Sequence, residues 1–89
     1  MKVKVQILGY IPGVNWREKI LDVSAENLRE LLKQALNDLM ETIIDNKTEQ
    51  PLPFYKILLN NRDVSFLNGL DTKLNDGASI TIYSTVGGG

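Results

Sequence analysis

Near its start the chain alternates apolar and polar residues, which is the pattern of a strand with one buried face. The apolar positions of this run are Val3, Val5 and Ile7. A second strand is predicted over residues 17–23, with Leu21 and Val23 on its inward side. The pair Pro12-Gly13 between the two runs fits the central positions of a type II turn. The start of the chain is therefore expected to form a hairpin with a long loop.

In the middle of the chain the apolar spacing changes to three and four residues, which predicts one long amphipathic helix from Ala25 onward. The residues at this spacing are Leu28, Leu31, Leu32, Ala35, Leu36, Leu39, Met40 and Ile43. Ser24 is the expected N-cap, and Glu26 in the first turn would favour the positive end of the helix dipole. A leucine stripe can also form a dimer seam, but beside amphipathic strands we expect this one to face the core.

The second half of the chain predicts further strands separated by turns. Residues 45–53 are polar and contain two prolines, so they are expected to be an exposed connection. Residues 54–60 predict a strand that ends in an Asn-Asn turn, because asparagine tolerates positive φ. Residues 64–67 predict a short edge strand. After the Asp76-Gly77 turn the alternation returns and predicts a last strand from Ser79.

The chain closes on Val86 and three glycines, Gly87, Gly88 and Gly89. Terminal glycines are often only part of a frayed end. Alternatively, these residues enter a narrow channel of another protein, where glycine lets the backbone approach closely. No charged side chain occurs from Ser79 to Gly89, which fits a segment that loses its water in such a channel. The strand that leads directly into the glycines favours this second interpretation.

Composition bounds the remaining possibilities. The 89 residues are 43% hydrophobic and 24% charged, with a net charge of -1, which is typical of one small globular domain without a nucleic-acid partner. The chain has no Cys and no His, which excludes thiol nucleophiles, disulfides, iron-sulfur clusters and the usual zinc sites. We expect neither an enzyme nor a metal site. No apolar run is long enough to span a membrane, and a cytoplasmic location is expected.

Trp16, the only tryptophan, lies near the return of the predicted hairpin loop. Such a residue can anchor a partner protein or cover one end of the core. We favour the second role.

The segment Leu67 to Gly77, LNGLDTKLNDG, followed by the last strand and the glycines, resembles the end of the MoaD/ThiS family of ubiquitin-like sulfur carriers. Their chains carry an L-x-D-G turn, an apolar strand and a terminal Gly-Gly. The resemblance implies an α+β, β-grasp fold in the order ββαββ, with a mixed sheet packed on one long helix. Its first and last strands would lie parallel at the centre of the sheet. Residues 1–89 would form one such domain, with a flexible tail from about residue 85 to residue 89.

The resemblance also implies a carrier function for the tail. An ATP-dependent enzyme of the ubiquitin-activating type would adenylate Gly89, and a sulfur donor would convert the adenylate into a thiocarboxylate. Val86, Gly87 and Gly88 would be recognised by that enzyme, and the chain itself would bind no cofactor. The thiocarboxylate would pass sulfur to a synthase subunit in cofactor biosynthesis. Chain length favours a MoaD-like role in molybdopterin synthesis, with the chain as a small subunit, over a ThiS-like role in thiazole synthesis.

Two other functions remain open at this point. A ubiquitin-like modifier would use the same activated Gly89 but transfer it to the amine of a lysine. A β-grasp binding module would use its surface and no tail chemistry. The product formed at Gly89 distinguishes these alternatives from a sulfur carrier.

The strand alternation also predicts which residues face away from the helix. With Val3, Ile57 and Ile82 inward, their neighbours in sequence point outward. The apolar residues among the outward positions are Leu8, Leu58 and Tyr83. We expect these three to form a partner-docking patch beside the tail. On this expectation, Leu58→Asp would weaken docking and leave the fold intact.

Overall fold

A five-stranded mixed sheet is packed against a short helix in the computed structural model, which describes residues 1–85. The strand order across the sheet is β2-β1-β7-β5-β6. The sheet strands are β1 (Lys2–Leu8), β2 (Glu18–Asp22), β5 (Tyr55–Leu59), β6 (Arg62–Asp63) and β7 (Ser79–Ser84). Between β2 and β5 lie the helices α1 (Leu28–Leu36) and α2 (Met40–Ile43) and the short strands β3 (Ile44–Asp45) and β4 (Gln50–Pro51), which pair with each other.

The first and last strands run parallel at the centre of the sheet, as the resemblance implies. Val5 pairs with Ile80 and Ile7 pairs with Ile82, and all four side chains are buried. Strand β5 lies antiparallel to β7 on its other side. The α+β architecture with a mixed sheet is thereby confirmed.

Two predicted turns are confirmed in detail. In the β1–β2 loop, the N–H of Val14 donates to the carbonyl of Ile11 at 3.1 Å, and Gly13 has φ +86°, as a type II turn requires. After β5, Asn60 and Asn61 have φ values of 51° and 68°. Both turns use residues that tolerate the left-handed region.

The start of the helix is not where the sequence predicts it, so the assignment of Ser24 as N-cap is wrong. The N-cap is Asn27, whose Oδ1 accepts a hydrogen bond from the N–H of Glu30 at 3.0 Å. Glu26 precedes the helix and is not in its first turn, because its carbonyl accepts from the N–H of Leu74 at 3.1 Å. Because of this contact with a distant segment, the helix begins a few residues later than predicted.

The prediction of one long helix is also wrong, because the helix is interrupted after Leu36. Asn37 has φ 52° and ends α1, and a 3₁₀ turn over Asn37–Leu39 leads into α2. Asparagine and aspartate are weak helix formers, and asparagine tolerates positive φ. The apolar stripe still faces the core on both sides of the break, as expected. Its buried members are Leu28, Leu31, Leu32, Ala35, Leu36 and Ile43, with Leu39 and Met40 packed against them.

Residues 64–67 do not form the predicted edge strand. The edge strand is β6, and Val64–Phe66 form a 3₁₀ turn capped by Asp63. The N–H of Ser65 donates to Asp63 Oδ1 at 2.9 Å, and this hydrogen bond lowers the pKa of the Asp63 carboxyl. The Val64 side chain, directly after β6, is buried in the core.

The connection between the helix and β5 is tied to the rest of the domain by Arg29. Its guanidinium forms ion pairs with Glu49 and with Asp71, the latter at 3.0 Å. Glu49 is the last residue of the exposed turn of the β3–β4 hairpin and has φ 56°. The predicted exposed connection thus contains a small hairpin held against α1.

Trp16 is partly buried and packs against the core. The ammonium of Lys19 lies 4.5 Å from the centre of its ring, a cation–π contact within the chain. These contacts support the structural role for Trp16.

Within residues 1–85 there is no helix of the length and apolar character that a membrane crossing requires.

Candidate functional site

The candidate site is the end of the central strand β7, from which the predicted tail continues. We call Ser84 and Thr85 the tail root. Both the N–H and the Oγ1 of Thr85 donate hydrogen bonds to the carbonyl of Phe54, at 2.8 and 3.0 Å. The four residues with predicted roles in the tail lie outside the described residues, so those roles stay predictions. These residues are Val86, Gly87, Gly88 and Gly89.

On the other side of the tail root lies Gly9, the first residue after β1. A Cβ atom on Gly9 would lie 2.9 Å from the carbonyl oxygen of Ser84, closer than real Cβ atoms approach, and 3.0 Å from the Ser84 Cβ. Gly9 also has φ +86°, which disfavours other residues. The carbonyl of Gly9 accepts a hydrogen bond from the Arg17 guanidinium at 3.3 Å. The β1–β2 loop therefore contacts the tail root directly.

The outer face of the sheet carries the three residues of the predicted docking patch. Leu8 and Tyr83 are neighbours across the β1–β7 pair, and their side chains are 41% and 42% exposed. Leu58 pairs with Thr81, one row further from the tail root, and is only half-exposed. Leu8 and Tyr83 are thus exposed on the outer face, as predicted. Leu58 is less exposed and lies at the margin of this pair of residues.

The surroundings of Leu58 change one expectation. Leu58 pairs directly with Asp63 of β6, so an aspartate at position 58 would place two carboxylates opposite each other. Like charges directly opposite in a sheet are destabilising. We therefore no longer expect Leu58→Asp to leave the fold unchanged.

Two exposed aromatic residues lie beside the tail root, and the sequence pattern does not single them out. Tyr10 follows Gly9 and is 61% exposed, and Phe54 precedes β5 and is 52% exposed. The sequence predicts Phe54 as part of the strand over residues 54–60 and assigns no role to Tyr10. The sequence does contain a signal for their exposure. Each is a large aromatic residue that directly follows a Gly or a Pro next to a strand, in the pairs Gly9-Tyr10 and Pro53-Phe54.

The described part of the site offers contact surface made of apolar and charged side chains. The charged residues on the outer face include Lys56, which pairs with Tyr83, and Lys4, whose ammonium lies 3.6 Å from the Glu18 carboxylate. Within residues 1–85 no three His, Cys, Asp or Glu side chains are grouped so that they could hold a metal ion. The arrangement holds the tail root in place at the end of the sheet, and exposed apolar side chains surround it.

A mixed sheet with parallel first and last strands at its centre, a helix across one face and a chain end leaving the central strand define a ubiquitin-like β-grasp domain. Residues 9–89 match the sequence profile of the ThiS family. The chain therefore belongs to the ThiS family, whose members are small ubiquitin-like proteins of the sulfur carrier and modifier type.

Individual relatives agree with this assignment. The chain is 34% identical over 74 residues to a putative sulfur carrier protein of Archaeoglobus fulgidus, covering 78% of this chain and 83% of the relative. It is 28% identical over 97 residues to ubiquitin-related modifier 1 of Schizosaccharomyces pombe, covering all of both chains. The crystal structure of Mycobacterium tuberculosis CysO, an antigen, is similar with a TM-score of 0.74 and 27% identity, covering 94% of this chain and 99% of that chain.

Proposed function

We propose that this chain is a sulfur carrier whose reactive group is the carboxylate of Gly89. The observation that carries the proposal is the sequence of three glycines two residues after the central strand of a ThiS-family domain. A carboxylate is ionised at neutral pH and is a poor electrophile, so a partner enzyme activates it. The Gly89 carboxylate attacks the α-phosphate of ATP and releases pyrophosphate, which gives an acyl-adenylate.

Sulfur then replaces one oxygen of Gly89 in two steps. The terminal sulfur of a persulfide donor attacks the acyl carbon and AMP leaves, which gives an acyl disulfide. A thiol reduces the S–S bond of this intermediate, so that the thiocarboxylate is released and the thiol ends in a disulfide. The chain itself supplies only the acyl group, and ATP, persulfide and thiol are bound by partner proteins. We propose a cytoplasmic location for these steps.

The length of the tail limits where the activating enzyme can dock. Four residues follow Thr85, and they span at most about 14 Å when fully extended. The ATP of the partner therefore has to come within that distance of the tail root. This limit favours docking on the nearby outer face, with Leu8 and Tyr83 in contact with the partner and Leu58 at the margin.

Val86, Gly87 and Gly88 are the residues proposed to pass through the channel of the activating enzyme. Because Gly88 is next to the reacting carboxylate, a β-branched side chain there would obstruct the narrowest part of the channel, around Gly88 and Gly89, where only a glycine backbone fits. Gly87 lies one residue further from the reacting carboxylate than Gly88 does, and it is expected to tolerate alanine better.

The proposal is tested by incubating the full chain with an adenylating enzyme from the same genome, ATP and a persulfide donor, followed by intact-mass measurement. We expect the mass change of one oxygen replaced by sulfur. In ATP–pyrophosphate exchange, deletion of Gly89 and Gly88→Val should abolish the signal, while Gly87→Ala is the matched control and should retain most of it. Undiminished exchange after deletion of Gly89 would show that activation does not require the carboxylate of Gly89, which would contradict the proposal.

A protein modifier is the second candidate function, and the full-length similarity to ubiquitin-related modifier 1 favours it. In that case the activated Gly89 forms an amide with the side-chain amine of a lysine on a target protein. The two functions share the adenylation step and differ in the product. Mass spectrometry of proteins from the native host tests this function. An isopeptide between Gly89 and a target lysine would support the modifier, and its absence would count against it.

The acceptor of the sulfur is a further part of the proposal. We propose a molybdopterin-type synthase, of which this chain would be the small subunit, with thiazole synthesis as the alternative. Adding the purified thiocarboxylate form to each type of synthase and measuring sulfur incorporation into the product would decide between the two.

A further inference from the structure

The tail root is held from both sides, by hydrogen bonds to Phe54 and by the close approach of Gly9. We infer that Thr85 and Gly9 are positioning residues, which fix the place and direction in which the tail leaves the sheet. This inference rests on the proposed function, because it assigns the contacts a role in presenting Gly89 to the activating enzyme.

The first contact is the pair of hydrogen bonds from Thr85 to Phe54. The last paired residues of the β5–β7 ladder are Tyr55 and Ser84, so the bond from the Thr85 N–H to the Phe54 carbonyl at 2.8 Å continues this ladder by one residue. The Thr85 hydroxyl donates to the same carbonyl at 3.0 Å. A carbonyl oxygen can accept two hydrogen bonds, and the second one requires a side-chain donor, which the Thr85 hydroxyl supplies.

The second contact is the close approach of Gly9 to Ser84. The position of a Cβ on Gly9 lies 2.9 Å from a backbone oxygen of the tail root, and a backbone atom cannot move aside as the end of a flexible side chain can. With Gly9 on one edge and Phe54 on the other, the last residues of β7 lie between two neighbouring backbones. A larger residue at position 9 would push the tail root away from β1.

Fixing the tail root has a direct consequence for threading. A tail that leaves the sheet in one fixed direction loses less conformational entropy on entering a channel than a tail whose start is mobile. Binding to the activating enzyme is then more favourable. The reach of the tail is short, and a small displacement of reacting groups can reduce rates strongly. Loosening the tail root should therefore slow adenylation even when the docking face is intact.

The central variant is Thr85→Val, which keeps the branched shape and the backbone N–H but lacks the hydroxyl. Its matched control is Thr85→Ser, which keeps the hydroxyl and lacks the methyl group. For both full-length chains, hydrogen exchange at the amide of residue 85 is measured in the absence of any partner. The kcat/KM for adenylation is then measured with the activating enzyme, and the unfolding temperature is recorded.

We expect faster amide exchange at residue 85 in Thr85→Val, a fall in kcat/KM of about threefold to tenfold, and values near wild type in Thr85→Ser. Gly9→Ala should change exchange and kcat/KM in the same direction from the opposite side of the strand. A contact between the Thr85 hydroxyl and the partner itself would lower kcat/KM without changing exchange in the free chain. That outcome, or equal kcat/KM in Thr85→Val and wild type, would overturn the inference. A wild-type chain that is not adenylated at all would instead overturn the proposed function.

Discussion

Tyr83 offers the sharpest test of the docking face, because its exposed surface lies next to the tail root. A tyrosine side chain has roughly 200 Å² of surface to bury. Its exposed fraction here is 42%, so a partner could cover roughly 80 Å², which at about 25 cal/mol per Å² contributes about 2 kcal/mol. Since coverage is rarely complete, we expect Tyr83→Ala to weaken binding at least tenfold, which corresponds to about 1.4 kcal/mol.

Ile20→Ala is the matched control for this experiment. Ile20 is 68% exposed and pairs with Lys4 on the same outer face. Lys4 precedes Leu8 by four residues along β1, so Ile20 lies roughly 13 Å further from the tail root along the strand. If the tail limits where the partner docks, Ile20→Ala should change the Kd by less than about twofold.

The measurement is a calorimetric titration of each full-length variant into the activating enzyme without ATP, together with circular dichroism to verify folding. An unchanged Kd for Tyr83→Ala would refute a docking face at Leu8 and Tyr83. Equal losses for Tyr83→Ala and Ile20→Ala would refute the argument from the reach of the tail, because the whole face would then be in contact with the partner.

Four further predictions concern the fold that carries the tail. Leu32 is fully buried on α1, so Leu32→Ala should cost about 2–5 kcal/mol in denaturant unfolding, and a cost below about 1 kcal/mol would mean that the stripe is not core. Leu58→Asp should lower the melting temperature more than Leu58→Lys, since only the aspartate repels Asp63; equal melting temperatures would exclude this repulsion. The hydrogen bond from the Ser65 N–H lowers the pKa of Asp63 from its ordinary value of 3.8, so its ionised form stabilises the fold above about pH 4, and this contribution is lost as the pH falls through the folded-state pKa. The melting-temperature difference between wild type and Asp63→Ala should shrink accordingly below pH 4, and a difference that stays constant would contradict the assignment. Asn37 has φ 52°, so Asn37→Gly should raise the melting temperature and Asn37→Ala should lower it, whereas a gain with alanine would argue against backbone strain there.

The strands and turns could be predicted because their signals are local. The alternation in β1 and β7 fixes which residues face the core, and Asn60-Asn61 can take the φ angles that a two-residue turn needs. The predicted exposure of Leu8 and Tyr83 follows from the same alternation. These parts of the fold and of the candidate site depend on residues that are close together in the sequence.

The helix start could not be predicted because two good capping residues compete for it. Ser24 and Asn27 are both preferred N-caps, and the apolar stripe does not choose between them. The choice is made by a distant segment, since the N–H of Leu28 donates to the carbonyl of Thr72 at 2.9 Å and the carbonyl of Glu26 accepts from Leu74. A residue whose carbonyl is engaged by a distant chain segment is not free to begin a helix earlier.

The contacts at the tail root follow from topology, which no local pattern contains. Because β1 and β7 are parallel, the residue after β1, Gly9, lies beside the end of β7. Because β5 is antiparallel to β7, the residue before β5, Phe54, lies beside the same end. Any chain with this strand order places these two connections on either side of its tail root. The residues in the two connections can therefore change how the tail is presented without changing the tail itself, and this is where we expect carriers that serve different partners to differ.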